Sequence, residues 1–141
     1  MKTRSLCFAL ILLGLAMFLG AGLLPAQSVI SVSASPSEIT NQAEDSTITL
    51  TISPPSSRQL TVNVALTGTA FNGFDFIVLG SFTRRGQVII PAGQATQTLT
   101  LHSLYDDDPR SFEFVVFNVL GGKHYRIGSP SHARVTIENV P

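Results

Sequence analysis

The chain has no tryptophan and one cysteine, Cys7, among 141 residues. A lone cysteine closes no intramolecular bridge, so a disulfide scaffold and a paired-cysteine metal or redox motif are both excluded. Charge is scarce as well, with nine Lys and Arg against nine Asp and Glu and no basic run. A nucleic-acid binder needs a basic stripe to meet phosphates, and this chain has none. There is no Gly-x-Ser-x-Gly element, and His102, His124 and His132 are scattered without a nucleophile and an acid at motif spacing. Their spacing matches no strong zinc motif either. The chain therefore reads as a non-enzyme. Internal repeats and long low-complexity segments are also missing.

The one long apolar run stands at the start. "MKTRSLCFALILLGLAMFLGAGLLPAQS" opens with Lys2 and Arg4, continues apolar from Leu6 to Leu24, and ends in small residues. That order of charge, apolar run and small-residue site is the layout of a secretory signal peptide over residues 1–26, cleaved after Ala26 or alternatively after Ser28. The other reading is an uncleaved anchor, since about 20 apolar residues span a bilayer. The expectation is a secreted or extracytoplasmic protein, in the periplasm or on the cell surface, with no membrane contact beyond this segment. Cys7 stands at the start of the apolar run instead of ending it, so a lipoprotein anchor is not indicated. The remaining 27–141 form a single domain, large enough to bury a core without staples. It holds no cysteine, and seven basic residues face nine acidic ones.

Beyond the leader the apolar period is two. Val29–Ser35, Ser46–Ile52, Leu60–Leu66, Gly86–Ile90, Thr96–Leu104, Glu113–Leu120 and Ala133–Asn139 alternate apolar residues with Thr, Ser, Asn or Gln. Such alternation, rich in β-branched types, predicts half-buried strands. "SPPSSRQ", "PAGQ" and "GGKHYRIGSPS" between them are turn chemistry. Seven short strands in this length predict an all-β fold, a seven-stranded antiparallel immunoglobulin-like β-sandwich. In the aromatic stretch "FNGFDFIVLGSF", two or three of Phe71, Phe74, Phe76 and Phe82 are expected in the core. The alternative leaves one or two of them exposed as a binding patch.

If the seven strands alternate in direction, the first, third and fifth connections and the chain's end share one pole. The nine acids follow that rule. Glu38, Glu44 and Asp45 lie in the first connection, and Asp75 in the third. Asp106, Asp107, Asp108 and Glu113 lie at the fifth, and Glu138 at the end. Arg58, Lys123, Arg126 and Arg134 are assigned to the opposite pole, while Arg84, Arg85 and Arg110 fall near the acids. Carboxylates held together repel one another unless a cation joins them. Calcium suits such a pole because it takes six to eight hard oxygens in irregular geometry. The alternative is a solvated run of acids in loops.

These residues also carry a resemblance. "GTAFNGFDF" (68–76), "GQVIIPAGQATQTLTLHSLYDDDPRSFEFVVFNV" (86–119), "GSPSHARVTIEN" (128–139) and "ASPSEIT…STITLTIS" resemble, in order and spacing, the successive segments of Calx-beta domains. The resemblance spans nearly all of the domain. It implies a calcium-binding sandwich of the kind found in sodium–calcium exchangers, integrin β4 and bacterial extracellular proteins, with Ca2+ held between loops at one end. Carried over by position, the ligands would be Asp75, Asp106, Asp107, Glu113 and a main-chain carbonyl near Asp108, with Glu44 and Glu138 in supporting places. The sequence departs from the family pattern at Arg110, where a second glutamate is usual, and at Asn41, where an early one is usual. The function expected is that of an exported binding module with a weak or degenerate Ca2+ site, whose partner is another surface or secreted protein. The alternative is a calcium-independent structural or adhesive interaction domain.

Overall fold

The computed structural model describes residues 22, 24–107 and 111–141. Most of the expected leader, and with it Asp108 and Arg110, lies outside the described residues. Among the described residues no helix is long and apolar enough to cross a membrane. The strands are β1 (Ser28–Ser35), β2 (Glu38–Thr40), β3 (Asp45–Ser53), β4 (Leu60–Gly68), β5 (Phe76–Gly80) and β6 (Phe82–Thr83). They continue with β7 (Gln87–Ile90), β8 (Thr96–Ser103), β9 (Phe112–Val119), β10 (Tyr125–Ile127) and β11 (His132–Glu138).

Two sheets face each other, one in the order β10-β1-β3-β8-β5 and the other β2-β11-β9-β4-β7-β6. Alternation explains how they meet. In β3, Ile48, Leu50 and Ile52 turn inward while Thr47, Thr51 and Ser53 stay at or near the surface. β9 answers from the opposite sheet with Val115, Phe117 and Val119. Fully burying side chains of this size stabilises the fold by about 1.5–3 kcal/mol each. The core is one continuous cluster from Ile30 to Ile137.

The all-β sandwich agrees with the expectation from sequence, and all seven expected strands are present. The count of seven and the wholly antiparallel pairing are corrected. Four short strands, β2, β5, β6 and β10, bring the described total to eleven, and β10 on β1 and β2 on β11 pair in parallel. These four have two to five residues, too few for alternation to register. Each completes a sheet edge, where pairing geometry rather than pattern decides the conformation.

The strand registers fix the two ends. Asp45 pairs with His102, Phe76 with Ser103, Gly68 with Val115 and Glu138 with Phe112, so these residues gather at one end. Ser53, Leu60, Val119 and β10 mark the other. There Tyr125 closes the sandwich. Its hydroxyl donates to the Leu120 carbonyl and accepts the Asn63 N–H at 3.1 Å. Gly122 lies so close that a Cβ on it would stand 2.5 Å from the Tyr125 ring.

Candidate metal site

Three segments deliver carboxylates to the first end. β9 enters with Phe112 outward, so alternation turns Glu113 inward, and Glu113 is 0 % exposed on the core-facing side of the strand. The segment between β4 and β5 folds back on itself. The N–H groups of Phe74 and Asp75 both donate to the Phe71 carbonyl, and the Phe71 N–H donates to the Asp75 carboxylate. That turn leaves Asp75 only 4 % exposed. Asp106 follows β8 and is half-buried. One carboxylate oxygen from each of Asp75, Asp106 and Glu113 lies within 4.8 Å of the others. Among the described residues it is the one group of three or more such side chains close enough to share an ion.

Close approach of the main chain makes this convergence possible. The Phe114 carbonyl accepts the N–H groups of Thr69 and Ala70 at 2.9 and 3.0 Å, holding the segment that carries Asp75 against β9. Gly68 permits it, with φ +132 and space for no side chain, since a Cβ there would stand 2.2 Å from the Phe114 carbonyl oxygen. On the other flank, Ser103 is buried and bound to Glu44 through both main chain and hydroxyl.

Asn41 is the residue that sequence reasoning passed over as a departure. It is buried, and its Nδ2 donates to the main-chain carbonyl of Asp106 at 3.3 Å. Its Oδ1 accepts the Val140 N–H at 3.1 Å, and its own N–H donates to the Glu138 carbonyl. Three connections are thereby tied together behind the carboxylates. An amide can do this because it both donates and accepts, which a carboxylate cannot. The signal in the sequence was alternation, since Ile39, two residues earlier, is apolar and buried on the same side.

Of the other expected ligands, Asp107, Glu44 and Glu138 are not part of the cluster. Asp107 is exposed and accepts the Tyr105 hydroxyl at 2.9 Å. That bond, and then the carboxylate's charge, raise the Tyr105 phenol above its usual value. Glu44 is exposed and spends its carboxylate on the Thr40 N–H at 2.7 Å. Glu138 points outward from the end of β11. Asp108 lies outside the described residues, as does Arg110.

Among the basic residues, Arg134 is placed differently from the expectation. Arg84 and Arg85 sit part-way along the sandwich edge, in the turn whose Gly86 carbonyl accepts the Val64 N–H. Arg134 leans from β11 over the Phe114 ring, its guanidinium carbon 4.0 Å from the ring centroid. Three clefts open away from the carboxylates. One of about 420 Å³ opens at the edge between Leu66, Val78 and Phe82, and two more lie at the opposite end.

Solved structures share this architecture. The crystal structure of the apo-form Calx CBD1 domain superposes with a TM-score of 0.59 at 19% identity, over 79% of this chain and 98% of that one. CBD12 from CALX1.2 gives 0.57 at 19% identity over 77% of this chain and 43% of its own. The calcium binding domain CBD12 of CALX1.1 gives 0.58 at 18% identity, over 77% and 44%. No family model matches the chain, and no curated protein matches it. At this identity the likeness is one of fold: the chain adopts a Calx-beta-like sandwich, as the segments quoted from its sequence implied.

Proposed function

We propose that this protein is a calcium-binding module, with Asp75, Asp106 and Glu113 as its protein ligands. The observation that carries the reading is the convergence of three carboxylates, two of them buried, within 4.8 Å. Like charges so placed are unfavourable unless a cation joins them. The donors are all hard oxygens, without a thiolate or imidazole, which favours Ca2+ or Mg2+ over transition metals. Between those two, a donor set drawn from three separate segments suits the larger and geometrically more tolerant ion. The fold it shares with a calcium binding domain supports the same choice.

Binding rather than catalysis is the proposed role. The bound ion would tie the β4–β5 and β8–β9 connections to the strand that follows, fixing the shape of this end for a protein partner. The leader-like N-terminus supports an extracytoplasmic location, where modules working at 10⁻⁴–10⁻³ M calcium are found. Asp107, Glu44 and Glu138 would supply long-range attraction instead of direct ligation. The competing reading makes Arg110 the internal counter-charge and the domain a calcium-independent structural module.

Titration calorimetry separates the two. The purified protein titrated with calcium should bind one ion per chain, and Asp106→Ala should remove the heat. Absence of a binding heat up to about 10 mM calcium, well above the affinity range of extracellular modules, would leave the structural reading.

A further inference from the structure

The aromatic residues at the acidic end are arranged in a way that the metal reading does not use. Phe71 is 62 % exposed, Phe74 77 %, Tyr105 61 % and Phe112 60 %. Phe74, Tyr105 and Phe112 each directly precede one of the three clustered carboxylates. Alternation in the strand and the tight turn before β5 bury the acid and send its neighbour into solvent. The result is an apolar face set among the exposed acids Glu44, Asp45, Asp107 and Glu138.

The opposite end carries the complementary chemistry. Arg58, Lys123, His124 and Arg126 are all exposed there. Two clefts of about 420 and 410 Å³ open between them, one walled by Pro54, Pro55, Arg58 and His124 together with residues 25–28 of the N-terminal segment, the other by Lys123 and His124 and independent of that segment. A proline-walled cleft rimmed by guanidinium is a receptor for a phenyl ring, through apolar contact and cation–π attraction. His124 is held at φ 73, in the left-handed region that non-glycine residues seldom occupy. It lies between the two clefts and lines both.

We propose that copies of this chain associate head to tail, the aromatic and acidic end of one docking on the cleft-bearing basic end of the next. Opposite charge aligns the two surfaces, and the exposed phenylalanines enter the clefts. Such an interface is heterologous: the two surfaces differ, so docking leaves one of each free and the assembly can extend. The interface does not require calcium, and an ion at the cluster would reduce the negative charge that attracts the next copy.

The test is sedimentation velocity of the purified protein across a concentration series. At low ionic strength, about 10 mM salt, where the screening length is about 30 Å, the weight-average mass should rise with concentration past that of a dimer. In about 1 M salt, with a screening length near 3 Å, it should fall toward the monomer. The variant Lys123→Glu/Arg126→Glu should be monomeric alone, and so should Phe71→Ser/Phe74→Ser. All four positions are exposed, and circular dichroism checks that each variant is folded. An equimolar mixture of the two variants retains one competent surface of each kind, so it should form a dimer and nothing larger. A wild type that stays monomeric at low salt overturns the proposal. So does continued self-association of Lys123→Glu/Arg126→Glu, which would show like ends meeting.

Discussion

Glu113 pairs with Ile137 across the β9–β11 ladder, and both side chains are fully buried on the core side of the sheet. A carboxylate thus holds a place that alternation assigns to a core residue. Two residues further along each strand the same positions are Val115 and Val135. The fold changes from apolar core to acidic cluster within a single step of the ladder.

Asn41 should matter to the ion without touching it. In Asn41→Ala the Asp106 carbonyl loses the bond from the Asn41 amide and the Val140 N–H loses the one it makes to the Asn41 side chain. Leaving such groups unsatisfied costs about 1–3 kcal/mol, and removing a support behind metal ligands weakens affinity by about 10-fold or more. Calcium titration of this variant should show weakened binding with unchanged stoichiometry. Unchanged affinity would remove Asn41 from the positioning role.

Terbium offers an optical test of place. The chain has two tyrosines and no tryptophan. Tyr105 is adjacent to Asp106, whereas Tyr125 lies at the far end. Terbium bound at the cluster should therefore emit when tyrosine is excited, and calcium should displace it. Tyr105→Phe should abolish the emission while leaving calcium binding in place. Sensitised emission that survives in Tyr105→Phe would put the ion elsewhere.

Tyr125 predicts an alkaline limit to stability. Loss of hydration on burial raises its phenol, partly offset by the Asn63 N–H donated to its oxygen. The folded state therefore keeps the proton to higher pH than the unfolded chain, whose value is about 10. The stabilisation is complete below that value and declines as pH rises through the folded one. In a Tyr105→Phe background, used because Asp107 pushes that phenol the same way, adding Tyr125→Phe should flatten the alkaline loss. Urea midpoints measured from pH 8 to 11 give the slope. An equally steep decline in both variants would contradict the assignment.

Gly68→Ala should be among the most damaging single substitutions at this end. Its Cβ would meet the Phe114 carbonyl oxygen at 2.2 Å, in a backbone conformation of φ +132. Strain of that kind, with loss of the bonds to Thr69 and Ala70, is expected to cost on the order of 3 kcal/mol or more. Thermal unfolding would measure it. A loss below about 1 kcal/mol would mean that the β4–β5 segment can shift away, and then Asp75 is not rigidly held.

The sandwich was legible because its long strands alternate over seven to nine residues with Val, Ile, Leu and Thr. The acidic end was legible because strand direction alone sorts connections into two groups. What stayed hidden was short or conformational. β5, "FIVLG", is mostly apolar without alternation, and β10 has three residues inside a turn-rich stretch. Of Phe71, Phe74, Phe76 and Phe82, only Phe76 is fully buried, Phe82 packs at the core margin, and the first two face solvent. Composition could not distinguish them, since the deciding factor is the turn that aims Asp75 inward. Nor could spacing show that Asp106 turns toward the cluster while Asp107 turns toward Tyr105.

The central claim, that the cluster binds calcium, is tested most directly by thermal unfolding of the purified protein in EDTA, in magnesium and in rising calcium. Calcium at about 100 times its dissociation constant should add about 2.7 kcal/mol, raising the midpoint of a domain this size by roughly 10 °C. Magnesium should do much less, and Asp106→Asn should remove the calcium shift. An identical midpoint in EDTA and in about 10 mM calcium, a concentration that saturates extracellular calcium modules, would contradict the account and leave a structural sandwich with an internally neutralised acidic end.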